Sequence, residues 1–309
     1  CYGPGEKEDM AFAESVCNKL RIPFHTIDLR KEYRVHVINH FKNQYLNGKT
    51  PNPCIVCNQR LKFGFLLEKA KKSGVDFEFF ATGHYARVQK INARHLLKTS
   101  TDIEKDQSYF LYTLTPKQLT RILFPLGEFK KQEVRKIAKS LGLTTAERPE
   151  SQDFIAGGDY CLLFKENERK AGNIVDENGN ILGKHRGIIH YTIGQRRGLG
   201  IAAARPLYVK KIDAPKNQIV VSEKEKLASE GLIAGEINLI SVDKLDRHCP
   251  ARVKIRLNQK AVDATLLPCK NGDIKIRFDE PQLSVCPGQH AVFYSEDTVI
   301  GGGVIQEAL

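Results

Sequence analysis

Apolar residues recur at helical spacing over 6–20, 32–45, 59–72 and 132–141, and in short runs or strict alternation elsewhere, so the chain changes period along its length. Through the first 145 residues helices alternate with apolar segments at 23–28 and 77–81. That alternation predicts a parallel sheet covered on both faces. Thr82-Gly83-His84-Tyr85 then falls at the carboxyl end of a strand, where such sheets bind ligands. A loop over 47–58 carries Gly48, Pro51 and Pro53, and Gly74 is the expected stop of the helix that follows. Arg148-Pro149 breaks the pattern, and short strands with Gly-rich, basic turns run on to about 221. From about 231 only strand-like alternation remains, over 251–257, 261–267, 273–278, 290–294 and 298–305, which predicts a small antiparallel β-barrel. Three domains are expected, at 1–147, 148–225 and 226–309: α/β with a parallel sheet, small central α+β, and barrel.

Charge adds a partner to this picture. The 309 residues carry 48 Lys plus Arg against 36 Asp plus Glu, a net charge of +12. The excess is concentrated in 51–150, with 18 basic against 10 acidic residues, whereas 231–309 has 9 against 10. A polyanion is expected to dock on the middle of the chain, and a solvated basic surface without a partner stays open. No apolar run approaches the ~18 residues of a membrane span, and no secretory signal opens the chain. Eight irregularly spaced cysteines are too few for a disulfide scaffold, so a cytoplasmic setting is expected. The first residue is Cys1 rather than Met, which leads us to expect a missing start.

The sharpest local feature is Thr50-Pro51-Asn52-Pro53-Cys54-Ile55-Val56-Cys57-Asn58-Gln59-Arg60. With a helix predicted just after Cys57 and with Arg60 and Lys62 beside it, the thiolate of Cys57 would be stabilised, making it a candidate nucleophile. Half of a zinc site and an inert buried pair remain alternatives, although no second CxxC exists. Lys105-Asp106-Gln107 precedes an aromatic cluster, and Asp106 is equally an N-cap. Gly194-Gln195-Arg196-Arg197-Gly198-Leu199-Gly200 lacks the spacing of a P-loop or dinucleotide fingerprint and is closer to a nucleic-acid contact. Arg252, Lys254 and Arg256 alternate and would share one strand face. His84 is placed to meet a ligand or to serve the fold.

Taken in order, TPNPCIVCNQRLKFG, ATGHYARV, KDQSYFLYTL, FPLGEFKKQEVRKIA, GIIHYTIGQRRGLGI, FDEP, CPGQHAVFY and GGGVI resemble the bacterial tRNA-specific 2-thiouridylases, the MnmA/TrmU family. The resemblance runs from about residue 5 to 309. It implies an adenine-nucleotide-hydrolase-like α/β domain, a central domain and a C-terminal β-barrel around a tRNA anticodon stem-loop. The implied activity is ATP-dependent thiolation of the wobble uridine: ATP with Mg2+ adenylates the C2 oxygen, and sulfur displaces AMP. Cys57 matches the nucleophilic cysteine, and Asn52, Pro53 and Cys54 the stretch meeting the target base. Gly83 resembles an ATP-contacting glycine and His84 its tRNA-contacting neighbour. Lys105, Asp106 and Gln107, Arg256 with Leu257, and Gln289 match tRNA contacts. A sulfur-donor relay protein is implied as a further partner, and no membrane.

Three departures mark this chain. The family's SGGxDS pyrophosphatase loop is absent and is expected upstream of Cys1. The cysteine that follows a segment like Glu150-Ser151-Gln152-Asp153 is replaced by Phe154-Ile155-Ala156, leaving Cys161 as the nearest thiol. Cys54 stands where many members have an aspartate. Cys54, Cys57 and one further cysteine are therefore candidate ligands of an iron-sulfur cluster delivering sulfide, with a persulfide on Cys161 as the rival route. A tRNA-binding paralogue without sulfurtransferase activity, and thiolation of a different base, are the other functional readings.

Overall fold

A computed structural model describes residues 6–143, 154–155 and 158–309. Cys1 and the 150–153 segment lie outside the described residues. No described helix is long and apolar enough to cross a membrane.

The first helix, Glu6–Leu20, has the expected bounds, with Glu6, Glu8 and Asp9 in its first turn and Lys19 in its last, as the helix dipole favours. A second helix spans 30–46, widened to a π-helix over Arg34–Ile38. Its buried residues Val37, Phe41 and Tyr45 stand four apart and form one stripe. A third helix runs over 53–72, π-helical across Cys57–Phe65. Its start differs from the expectation of a loop to residue 58. Asn52 accepts a hydrogen bond from the Ile55 N–H (3.3 Å) and Pro53 takes the first helical position, so the helix begins four residues before Cys57.

The expected strand at 23–28 does not form, and 77–81 contributes only Phe80–Ala81, paired in parallel with Ile122–Leu123. A hairpin absent from the sequence expectation follows, Ala86–Ile91 with Arg94–Thr99. In the middle of the chain the sheet order is Ile181–His185, Gly172–Val175, Gln218–Ser222, Tyr208–Asp213, with the inner pair parallel.

The barrel is six-stranded and antiparallel. Around it run Ala228–Leu239, Ile274–Leu283, Val262–Pro268, Cys249–Lys254, His290–Ser295 and Thr298–Ala308, the last closing back on the first. Alternating inward residues such as Leu232, Ala234, Ile274 and Ile276 fill its interior. Thr298 also pairs with Lys98, so the hairpin extends the barrel's sheet.

Position follows from how these parts share cores. Ile55, between the two cysteines, is buried with Phe63, Tyr109, Leu111 and Tyr112, and with Val292, Tyr294 and Val299 of the barrel. A fully buried side chain of this size contributes about 1.5–3 kcal/mol, so the Cys54–Cys57 turn is anchored in a core that the barrel completes. Phe41 and Tyr45 join a second core with Phe164, Ile189 and Tyr191, tying the second helix to the central sheet.

Candidate active site

Asn52, Pro53 and Cys54 form the first turn of the third helix, with Cys54 exposed at its tip. Cys57 lies one turn further in and is partly buried. Here the expectation of a dipole-stabilised thiolate is corrected. Burial pushes the Cys57 thiol above its ordinary value, and the Lys62 ammonium only partly opposes this. The residue at the helix start is Cys54, because the Asn52 cap moved the N-terminus upstream.

Gly83 follows the Phe80–Ala81 strand at its carboxyl end, and a Cβ built there would make ordinary van der Waals contact with Leu126 Cδ1 at 3.7 Å. His84 turns inward. It is 8% exposed, its Nδ1 shares a hydrogen bond with Thr82 Oγ1 (2.7 Å), and its ring packs between Phe63 and Phe124. Burial, then the Lys62 charge, lowers its pKa to about 4, so the ring is neutral at pH 7.

The Lys105-Asp106-Gln107 turn is likewise built into the fold. Asp106 accepts from Ser100 N (2.9 Å), Ser108 N (3.3 Å) and Ser108 Oγ (2.7 Å). Gln107 Oε1 accepts from Tyr85 N (3.0 Å). Two of the three side chains expected to touch RNA thus hold the 84–85 and 100–108 segments together. Lys105 sits at the outside of the turn, half-buried.

The basic residues at 252–256 alternate with the buried Val253 and Ile255 as expected, but their surroundings differ. Arg252 is exposed, Lys254 lies over the Tyr109 ring, and Arg256, beyond the end of Cys249–Lys254, turns inward. Its Nη2 donates to Ser284 O (2.6 Å) and to Cys286 Sγ (2.9 Å). Leu257 packs on the shared core and Gln289 Nε2 donates to Thr50 O (3.1 Å). On the central sheet, Arg196 and Arg197 are exposed on a loop whose Gly194, Gly198 and Gly200 all have positive φ. Gln195 fixes that loop by accepting from Thr192 N and donating to Arg197 O.

Cys161 lies on the short 3-10 turn Tyr160–Leu163, with its Sγ 3.1 Å from His190 Nδ1. Burial, reinforced by Asp159, raises its pKa, while Arg169 and Arg186 pull the other way. His190 escaped the sequence expectation because 29 residues separate it from its partner. No group of three His, Cys, Asp or Glu side chains able to hold a metal ion occurs among the described residues. Those residues do not fit an iron-sulfur cluster on Cys54, Cys57 and a third cysteine.

Comparison with known proteins matches the same parts. Residues 3–157 fit the family model described as tRNA methyl transferase HUP domain, 162–223 the tRNA methyl transferase PRC-barrel domain, and 229–305 the Aminomethyltransferase beta-barrel domain. The tRNA-specific 2-thiouridylase MnmA of Acetivibrio thermocellus is 48% identical over 301 residues, which cover 95% of this chain and 83% of that protein. Proteins of the same name from Clostridium botulinum (strain Alaska E43 / Type E3) and Halothermothrix orenii are each 44% identical, over 95% and 96% of this chain and 82% and 84% of their own lengths. With three matching domains in order and this identity along nearly its whole length, the chain belongs to the tRNA-specific 2-thiouridylase MnmA family.

Proposed function

We propose that this protein is a tRNA sulfurtransferase that converts the wobble uridine of tRNA to 2-thiouridine at the expense of ATP. The observation that carries the reading is the Asn52-capped turn presenting Cys54 and Cys57 within a core shared with the barrel, in a chain so similar to the 2-thiouridylases along its length. ATP would lie at the carboxyl end of Phe80–Ala81, beside Gly83. Adenylation turns the C2 oxygen into a leaving group, and AMP departs as sulfur arrives. Mg2+ would accompany ATP; the described residues offer no cluster of carboxylates for it.

Asn52 and Pro53 meet the uridine, and Cys57 is the nucleophile. Its raised pKa keeps it a thiol in the free protein at neutral pH. Lys105, Arg196 and Arg197 take the anticodon-arm phosphates, with Asp106, Gln107 and His84 shaping the surface behind Lys105. For the sulfur we favour a persulfide route over an iron-sulfur one, since the described cysteines gather no third ligand. Cys161 is its carrier: its sulfur, 3.1 Å from His190 Nδ1, takes the outer sulfur of a donor protein's persulfide while the donor's cysteine leaves as a thiol with the Cys161 proton. Attack by Cys57 on Cys161 Sγ then frees that sulfur as sulfide and leaves a disulfide.

The test uses full-length protein, ATP, an unmodified tRNA transcript and a persulfide donor, with 2-thiouridine read by mass spectrometry. Formation at the wobble position, lost in Cys57→Ser and Cys161→Ser while tRNA affinity is kept, is expected. Tight tRNA binding without thiolation would favour a binding paralogue, and activity in Cys161→Ser would remove that residue from the route.

A further inference from the structure

The stem of the cysteine loop is gripped by the barrel. Thr50, two residues before the Asn52 cap, donates its N–H to Pro287 O (2.9 Å) and accepts on its carbonyl from Gln289 Nε2 (3.1 Å). Between these contacts Gly288, at φ +89°, lies so close that a Cβ would stand 2.9 Å from Lys49 Cβ and 3.0 Å from Thr50 N. The gripping loop is fixed in turn. Gly288 N donates to Ile305 O and Ile305 N to Gln289 O, both 2.8 Å, while Arg256 holds Ser284 and Cys286. Gly48, at φ +71°, lies against the central sheet, where a Cβ would meet Ile212 O at 2.9 Å. Residues 48–50 are thus held against two other parts of the molecule, immediately before the turn that presents Cys54 and Cys57.

We propose that Gln289 is a positioning residue for the cysteine turn, acting through Thr50, so that the barrel is a working part of the reaction centre and not only an RNA grip. The side-chain amide spans the gap to Thr50 O and sets where the Asn52 cap begins. A shift at Thr50 passes through Pro51 directly into that cap, because proline leaves little backbone freedom to absorb it. An RNA arm seated on the barrel would thereby bias the geometry of the thiols. The activity arm of the test rests on the thiolation reading; the chemical arm does not.

The experiment compares full-length protein with its Gln289→Met variant, which keeps size and removes the donor. In RNA-free protein, iodoacetamide labelling of Cys57, quantified by peptide mass spectrometry, is expected to quicken about fivefold, the equivalent of one hydrogen bond. Single-turnover thiolation at saturating tRNA is expected to slow by about five- to tenfold, with the tRNA Kd held within about twofold. Unchanged labelling, unchanged turnover, or a loss lying wholly in the Kd would each overturn the proposal, the last making Gln289 an RNA contact. Should the variant not fold, hydrogen exchange on the unaltered protein decides: a Thr50 amide protected like the barrel strands supports the clamp, and exchange at open-loop rates overturns it. If the unaltered protein forms no 2-thiouridine, the thiolation reading fails while the labelling arm still judges the clamp.

Discussion

Replacing Asp106 by alanine should cost the fold more than it costs RNA binding. Its carboxylate takes hydrogen bonds from Ser100 N, Ser108 N and Ser108 Oγ, and these two serines are 1% and 0% exposed. Water cannot replace the missing acceptor there. Ser108 Oγ keeps Tyr294 OH at 3.4 Å, so two buried N–H groups lose their side-chain acceptor, at about 1–3 kcal/mol each, or roughly 2–6 kcal/mol together. Against this stands the carboxylate's own burial, which raises its pKa despite those hydrogen bonds and the nearby Lys254 charge. Asp106→Asn keeps the Oδ1 acceptor and sheds the charge, so it should lie within about 1 kcal/mol of the parent. The chain has no Trp and ten Tyr, with Tyr109, Tyr112 and Tyr294 buried near this turn, so tyrosine fluorescence in urea is the natural assay. Asp106→Ala is expected to lower the midpoint by about 1 M. An alanine variant with the parent midpoint and a tenfold weaker tRNA Kd would refute this account and make Asp106 a direct contact.

Buried neutral histidines give the molecule an acid limit. Burial lowers the pKa of His84 to about 4 and of His290 to about 3 from 6.5, so unfolding takes up two protons between about pH 4 and 6.5. Their contribution is fully present above 6.5 and is lost as pH falls, with a slope near pH 5 of roughly 2–3 kcal/mol per unit. His290→Gln should remove about half of that slope in urea titrations across pH 5–6; an unchanged slope would contradict the burial argument. Arg196→Ala and Arg197→Ala should each reduce the salt dependence of tRNA binding by about one unit in log–log slope, measured by filter binding; unaltered slopes would remove that loop from the RNA surface. Iodoacetamide labelling of Cys57 should keep accelerating past pH 9, because burial raises its pKa; a plateau near pH 7 would show a stabilised thiolate instead.

Much of the architecture was legible because period survives in sequence. Glu6–Leu20, Lys131–Ser140 and five of the barrel strands fall within a few residues of their expected places. The third helix was displaced because Asn52 and Pro53 read as loop punctuation when they are a cap and a first helical residue. Ala86–Thr99 escaped notice because its Arg, Gln and Lys residues mask any clean apolar face, and its order comes from Thr298 and from core residues far away in the chain. In the candidate site, the motifs singled out Cys57, His84 and the 105–107 turn. They did not show which atoms face inward, because the hydrogen-bond partners of Asp106, Gln107 and Arg256 are brought to them only by the folded chain.

The bond between Lys98 and Thr298 also sets an order of events during synthesis. The hairpin emerges early, yet the strand that covers its edge is made about 200 residues later. At about 5–20 residues per second, that edge waits roughly 10–40 s for its partner. For that interval an unpaired strand is presented to solvent and to neighbouring chains. Its arginines and lysines, Arg87, Lys90, Arg94 and Lys98, supply the charge that discourages a wrong partner until the right one arrives.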